Sequence, residues 1–282
     1  LTDASFNFFF FFHIMNRREK IRKPTVANLF YPGDAKKLQG QINVFLQFAK
    51  DTVDDNEPLP KAIIAPHAGY IYSGPIAASA YARIAPLHNK IRRVVLLGPS
   101  HRVPLMGVAA SSADSFSTPF GEIPLDRQTI EALEREQLVV TLDAAHEMEH
   151  SLEVHLPFLQ TVLDKFSLVP LVVGSATADQ ISRLIEFVWN EEDTLVVVSS
   201  DLSHYENYRA AQQHDQQTNQ AIERLDFQHI GPQDACGCAP LNGLLRFAQQ
   251  HHLHVQTVDY RNSGDTAGTK DQVVGYGAYV IH

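Results

Sequence analysis

The chain has 282 residues, 44% of them hydrophobic, enough to bury one large core or two ordinary ones. Its net charge of −9, from 23 basic and 32 acidic residues, argues against nucleic acid as a partner, since phosphate neutralisation needs a basic face. No apolar run reaches the roughly 18 residues of a spanning helix, and the two cysteines, Cys236 and Cys238, sit too close in sequence for an unstrained bridge. A chain without a disulfide framework or a membrane span fits the reducing cytoplasm.

The first stretch, LTDASFNFFFFFHI, holds six phenylalanines and no basic residue, so it lacks the positive start of a signal peptide. It reads as an N-terminal extension over 1–21, disordered or a remnant of upstream translation or expression, with Met15 as the natural start. A hydrophobic arm that packs on a partner is the alternative. The basic cluster Arg17 to Lys23 is short, diluted by Glu19, and reads as a solvated segment. The domain then runs from 22 to 282, without internal repeat or linker.

Apolar, β-branched runs predict strands at Ala62–Ala65, Val94–Leu97, Leu168–Val173, Leu195–Ser199, His254–Tyr260 and Val273–Ile281. Helices are predicted over Pro75–Ile84, Arg127–Glu136, Pro157–Asp164, Ala178–Asn190, Tyr208–Leu225 and Pro240–His251. Pro75, Pro157 and Pro240 suit a first helical turn, where a missing N–H costs nothing. This alternation argues for a single-domain α/β layered fold with a mostly parallel central sheet flanked by helices. The last two strands, joined by the Gly-, Asp- and Thr-rich loop 261–272, form an antiparallel edge pair in this reading.

Three histidines fall just past strand ends: His67 in AIIAPHAGY, His101 in VVLLGPSHR and His204 in LVVVSSDLSHY. Ligands of open α/β sheets bind at the carboxyl ends of the strands. Histidines delivered there three times point to a metal site or an acid/base cluster, although each alone reads as a hydrogen-bonded structural residue. Asp201 stands three residues before His204 and suits the orientation or charge-tuning of its imidazole; helix capping by the surrounding serines is the competing reading. Cys236 and Cys238 precede a predicted helix, whose N-terminus would lower a thiol pKa and favour a ligand role for one of them. His146-Glu147-Met148-Glu149-His150 satisfies the zincin pattern H-E-x-x-H and also its reverse, so a zinc-dependent hydrolase through His146, Glu147 and His150 is one reading. Pro157 and the cap offered by Ser151 argue against the continuous helix this would need, and EHSLEVHLPFLQ reads instead as a wall of the pocket.

Five separated motifs, APHAGYIYSGPIAASAY, LLGPSHRVP, EHSLEVHLPFLQ, SSDLSHY and the Cys-Gly element, resemble the Memo family in the same order. Its bacterial and archaeal members are called AmmeMemoRadiSam system protein B. The likeness runs from about Arg22 to the C-terminus. It implies a fold similar to class III extradiol dioxygenases, which hold non-haem iron through two histidines and a carboxylate. Carried over by motif, His67 and His101 match the histidine ligands and Cys236 stands where those dioxygenases have glutamate. His204 matches the acid/base histidine, with Asp201 beside it. A thiolate is softer than a carboxylate, so the set suits copper or zinc at least as well as iron. The expectation is a metal-binding, dioxygenase-like oxidoreductase acting on a small molecule or peptide. The family name also implies a link with radical-SAM and AMMECR-type proteins. The alternative from another class is a non-catalytic module that uses the ancestral cleft to bind a peptide or partner.

Overall fold

The computed structural model describes residues 19–53, 57–189 and 192–282. The phenylalanine run and Met15 lie outside the described residues. Lys20 and Ile21, assigned to the extension on sequence, belong to the fold. Lys20 reaches Ser112 and Asp143 at 2.7 and 2.6 Å, and Ile21 pairs with Ser115.

In chain order the strands are β1 (Ile21–Arg22), β2 (Ala62–Ala65), β3 (Arg93–Pro99), β4 (Val108–Ala110), β5 (Ser115–Thr118), β6 (Gly121–Pro124), β7 (Val140–Thr141), β8 (Ser167–Val173), β9 (Thr194–Ser199), β10 (His204–Glu206), β11 (Val255–Asn262) and β12 (Val273–Ile281). The helices are α1 (Ala35–Lys50), α2 (Tyr70–Ile84), α3 (Arg127–Arg135), α4 (Asp143–Glu147), α5 (Leu156–Val162), α6 (Ala178–Trp189), α7 (Tyr208–Glu223) and α8 (Cys238–Gln250).

The heart of the main sheet is the parallel block β2-β9-β3-β8. Each of these strands is apolar on both faces because helices cover both sides of a parallel sheet, which is why they read as unbroken Val/Ile/Leu runs. Antiparallel strands extend the block, β12 beyond β2 and β4 beyond β8, and β10 and β11 on β12 with β7 on β4 complete a sheet of nine strands among the described residues. A separate sheet, β1-β5-β6, sits beside it. β11 and β12 do pair antiparallel, but β12 is not an edge: it also bonds to β2, and its start bonds to β10.

The predicted helices form with shifted ends. α2 begins at Tyr70, not Pro75, because the turn at Ala68 and Gly69 leads straight into it. Pro75 therefore lies inside the helix, where its ring leaves the carbonyl of Ile71 without an intrahelical partner. Ile71 is exposed, so water can bond there. α1 escaped the sequence reading despite an Asp34 side-chain cap on Lys37 N and buried Leu38 and Ile42 one turn apart.

Because β2, β9 and β3 are parallel neighbours in register, with Ala65 opposite Ser199 and Leu97 opposite Val198, their carboxyl ends open on one edge. That shared edge is where the three strand-end histidines emerge.

Candidate metal centre

Pro66 confines Ala65 to extended geometry and stops β2, so His67 enters the turn. Its backbone N–H donates to Asp201 Oδ1 at 2.7 Å, and its Nδ1 lies 2.6 Å from Ser199 Oγ. The network assigns the tautomer. Ser199 gives its own proton to the Ser151 carbonyl at 2.7 Å, and Tyr81 donates to His155 Nδ1, so His155 Nε2 donates to Ser199 Oγ at 2.8 Å. His67 Nδ1 must then also be a donor, which leaves the Nε2 lone pair free. Burial, then the neighbouring imidazoles, pushes the His67 pKa well down and keeps that lone pair unprotonated.

His101 is held the same way by a different group. Glu149 accepts from His101 N at 2.6 Å and from its Nδ1 at 2.9 Å, so its Nε2 is free as well. Burial opposes a charged Glu149, but the hydrogen bonds from His101 and from the Ser151 N–H outweigh it and hold its pKa at about 2. Both imidazoles thus carry the oxygen partner on Nδ1 that orients metal-binding histidines.

Cys236 closes the set. Its Sγ accepts from Asp201 N at 3.3 Å and stands 3.5 Å from His67 Nε2. The thiol departs from the expectation of a lowered pKa. Cys236 lies before the first turn of α8, not at the helix terminus, and burial, then the Asp201 charge, pushes its pKa well up. A bound cation would reverse that balance. Gly237 lets the loop sit this close: a Cβ there would come within 2.5 Å of the Ser199 carbonyl oxygen.

One ligand atom from each of His67, His101 and Cys236 falls within 4.8 Å of the other two. Two ligand bonds of about 2.0–2.3 Å span at most about 4.6 Å, and the 3.5 Å between His67 Nε2 and Cys236 Sγ falls within that reach, as a metal-holding group requires. Two further groups share the spacing: Asp201, His204 and Cys236, and His101, Glu149 and His150. A cavity of about 660 Å³ opens from His101 and Cys236 and is walled by Val103, Leu105, Met106 and Pro240.

Asp201 and His204 are brought together, but not as an orienting pair. His204 gives its Nδ1 proton to the Leu202 carbonyl at 2.8 Å, and Asp201 is occupied by His67 N. Burial raises the Asp201 carboxyl, while the charge of His204 lowers it.

The zincin reading fails. α4 ends at Glu147, whose side chain is exposed, and the chain turns at Met148. His146 points away, with Nε2 bonded to the Ala109 carbonyl at 3.1 Å and its ring edge-on to Phe116. His150 alone reaches the site. It stacks on His101 at 4.7 Å, meets His67 edge-on at 5.6 Å, and its Nδ1 has no hydrogen-bond partner. The sequence reading placed it in a pocket wall; only the fold shows it inside the imidazole cluster.

Fold and site together define an α/β protein with a His/Cys cluster, fit for a metal ion, at the carboxyl edge of its sheet. Residues 22–280 match the family described as Memo-like protein, and the chain belongs to that Memo family. It is 36% identical to a MEMO1 family protein of Aquifex aeolicus, over 91% of this chain and 97% of that one. It is 36% identical to another from Sulfurisphaera tokodaii, with the same coverage, and 34% identical to one from Saccharolobus solfataricus. Among solved structures, an uncharacterized protein of Escherichia coli K12, JW3007, is similar with a TM-score of 0.50 at 11% identity. The likeness covers 78% of this chain and 99% of that one, and shows the fold alone.

Proposed function

We propose that this Memo-family protein is a dioxygenase-like, metal-dependent oxidoreductase in which His67, His101 and Cys236 hold the ion. The observation that carries the reading is the shared tautomer of the two imidazoles, each with Nδ1 committed to an oxygen, and with the His67 Nε2 3.5 Å from the thiol. When bound, iron or copper would supply Lewis acidity and electron transfer toward an oxygen-bearing substrate, and zinc only the first. Ser199 and Glu149 orient the two histidines. Cys236 gives up its proton on binding the cation. His204, with its Nδ1 proton tied to Leu202, exchanges a proton with the ligand at Nε2.

Protein purified without metal-affinity resin is assayed for bound metal and for an iron or copper spectrum. His67→Ala and His101→Ala together should abolish stoichiometric metal; full occupancy in the double variant overturns the assignment. The apolar walls of the cavity favour a second reading, a cleft that binds a peptide or partner without chemistry. Cys236→Ser would leave partner affinity intact on that reading, whereas a metal enzyme would lose its activity.

The two free thiols suit a reducing cytoplasm. Among the described residues no helix is long and apolar enough to cross a membrane, and the net charge speaks against nucleic acid. Coupling to radical-SAM and AMMECR-type proteins, which the family name implies, would place the substrate in a modification pathway. Co-purification with those partners tests it.

A further inference from the structure

The strand that carries His204 and the loop that carries Cys236 are separate segments, each short and irregular. β10 is three residues long, shifts register against β12 between His204 and Glu206, and holds exposed Tyr205 at φ 61°, a left-handed conformation uncommon for a bulky residue. The loop of residues 231–237 is a turn anchored near Cys236 by the Cys236 N–H on the Asp201 carbonyl at 3.2 Å and the Gly237 N–H on Ser200 Oγ at 3.0 Å.

One side chain spans both. His214, on α7, lies 2.8 Å from Glu206 Oε1 through Nδ1 and 2.7 Å from Asp234 Oδ1 through Nε2. Glu206 belongs to β10, and Asp234 stands just before Cys236, where its other oxygen accepts from Gly231 N at 2.6 Å. We infer that His214 is a positioning residue, an imidazolium clasp that fastens the Cys236 loop to the His204 strand and so sets the spacing of the metal centre.

Only the protonated ring donates to both carboxylates; the neutral ring has one donor, and its bare nitrogen repels the second carboxylate. Burial works against the charge, but the Asp234 and Glu206 bonds outweigh it and raise the His214 pKa above 6.5. Among the described residues, the charged groups of the elements packed on α7 engage other partners. Asp215, next on α7, is buried and accepts from Ser203 N, and His229 of the nearby turn is exposed and paired with Asp226. On β11, Asp259 and Arg261 bond each other, and β12 carries no charged residue. The clasp is therefore closed while His214 is protonated and opens as pH rises through its raised pKa.

The inference rests on Cys236 and His204 belonging to the site, but its test needs no metal. Hydrogen exchange at the Cys236 and Gly237 amides is followed in chelator-treated protein at about pH 6 and about pH 8.5, either side of the histidine range. Rates are corrected for the intrinsic pH dependence of exchange. Protection in the wild type should fall about tenfold across that interval, the factor one partly exposed charge-assisted hydrogen bond commands. His214→Gln should be low at both pH values, with no step. If that variant does not fold, Asp234→Asn and Glu206→Gln carry the same comparison. Equal wild-type protection at both values, or a step that survives without the imidazole, overturns the clasp. Metal analysis of the His67→Ala, His101→Ala protein decides the metal reading separately.

Discussion

Replacing Glu153 by glutamine removes the one carboxylate on which the segment before α1 is hung. Glu153 is buried and accepts from Arg22 Nη1, from Thr25 N and Oγ1 at 2.9 and 3.0 Å, from Val26 N at 3.0 Å and from Tyr31 OH at 2.7 Å. Glutamine keeps a single acceptor oxygen and turns its amide donors toward groups that are themselves donors. It also leaves the Arg22 guanidinium, only 7% exposed, without its counter-charge. Breaking a buried ion pair from one side costs about 3–5 kcal/mol. That is a large share of the roughly 5–15 kcal/mol that holds a typical domain folded. The expected loss in melting temperature is on the order of 10 °C, with an unchanged urea m-value. The pH dependence follows from the direction of the Glu153 shift. Burial raises its pKa, but the Arg22 charge, the Tyr31 bond and the backbone N–H groups together hold it below the ordinary 4.5. A depressed folded-state pKa gives stability that is complete above about 4.5 and is lost as pH falls through the lower folded value. The gap between wild type and Glu153→Gln should therefore be widest near neutrality and close in acid. Urea melts at several pH values measure it; a gap under about 1 kcal/mol at pH 7, against the value above, or one that does not narrow in acid, refutes the reasoning.

Ser199→Ala strands His67 Nδ1 and His155 Nε2 together, so stability should fall by about 1–3 kcal/mol and metal affinity by about 10–100-fold, read by urea melts and chelator competition. Gly237→Ala drives a Cβ into the Ser199 carbonyl oxygen, and the displaced loop should alkylate faster at Cys236 and cost about 1–3 kcal/mol. His146→Ala should leave metal content unchanged, because its ring bonds β4 and does not face the cluster; loss of metal in that variant would restore the zincin reading.

Much of the architecture was legible along the chain. Parallel strands buried on both faces are written as continuous apolar runs, and β2, β3, β8, β9 and β12 each stand within a few residues of their predicted positions. The short strands β1, β4, β5, β6, β7 and β10 carry no such mark. Two to four residues show no period, and their pairing is decided by neighbours distant in sequence. The same contrast holds at the site. The strand-end position of His67 and His101 is a local signal. The role of Glu149 on His101 and of Ser199 between His67 and His155 depends on contacts 48 and 132 residues apart. His146 and His150 look equivalent in a five-residue pattern, yet the end of α4 sends one to β4 and the other onto His101.

By itself the sequence determined the α/β class, the strands that build the sheet and the motifs that mark the family, because these are written in short-range apolar periodicity and in residues adjacent along the chain. The tertiary structure alone decided which nitrogen each histidine presents, that burial and Asp201 raise the Cys236 thiol where a helix terminus was expected to lower it, and that His150 belongs with the cluster while His146 does not. Those properties depend on burial and on hydrogen-bond partners from other strands, and neither exists until the sheet has assembled.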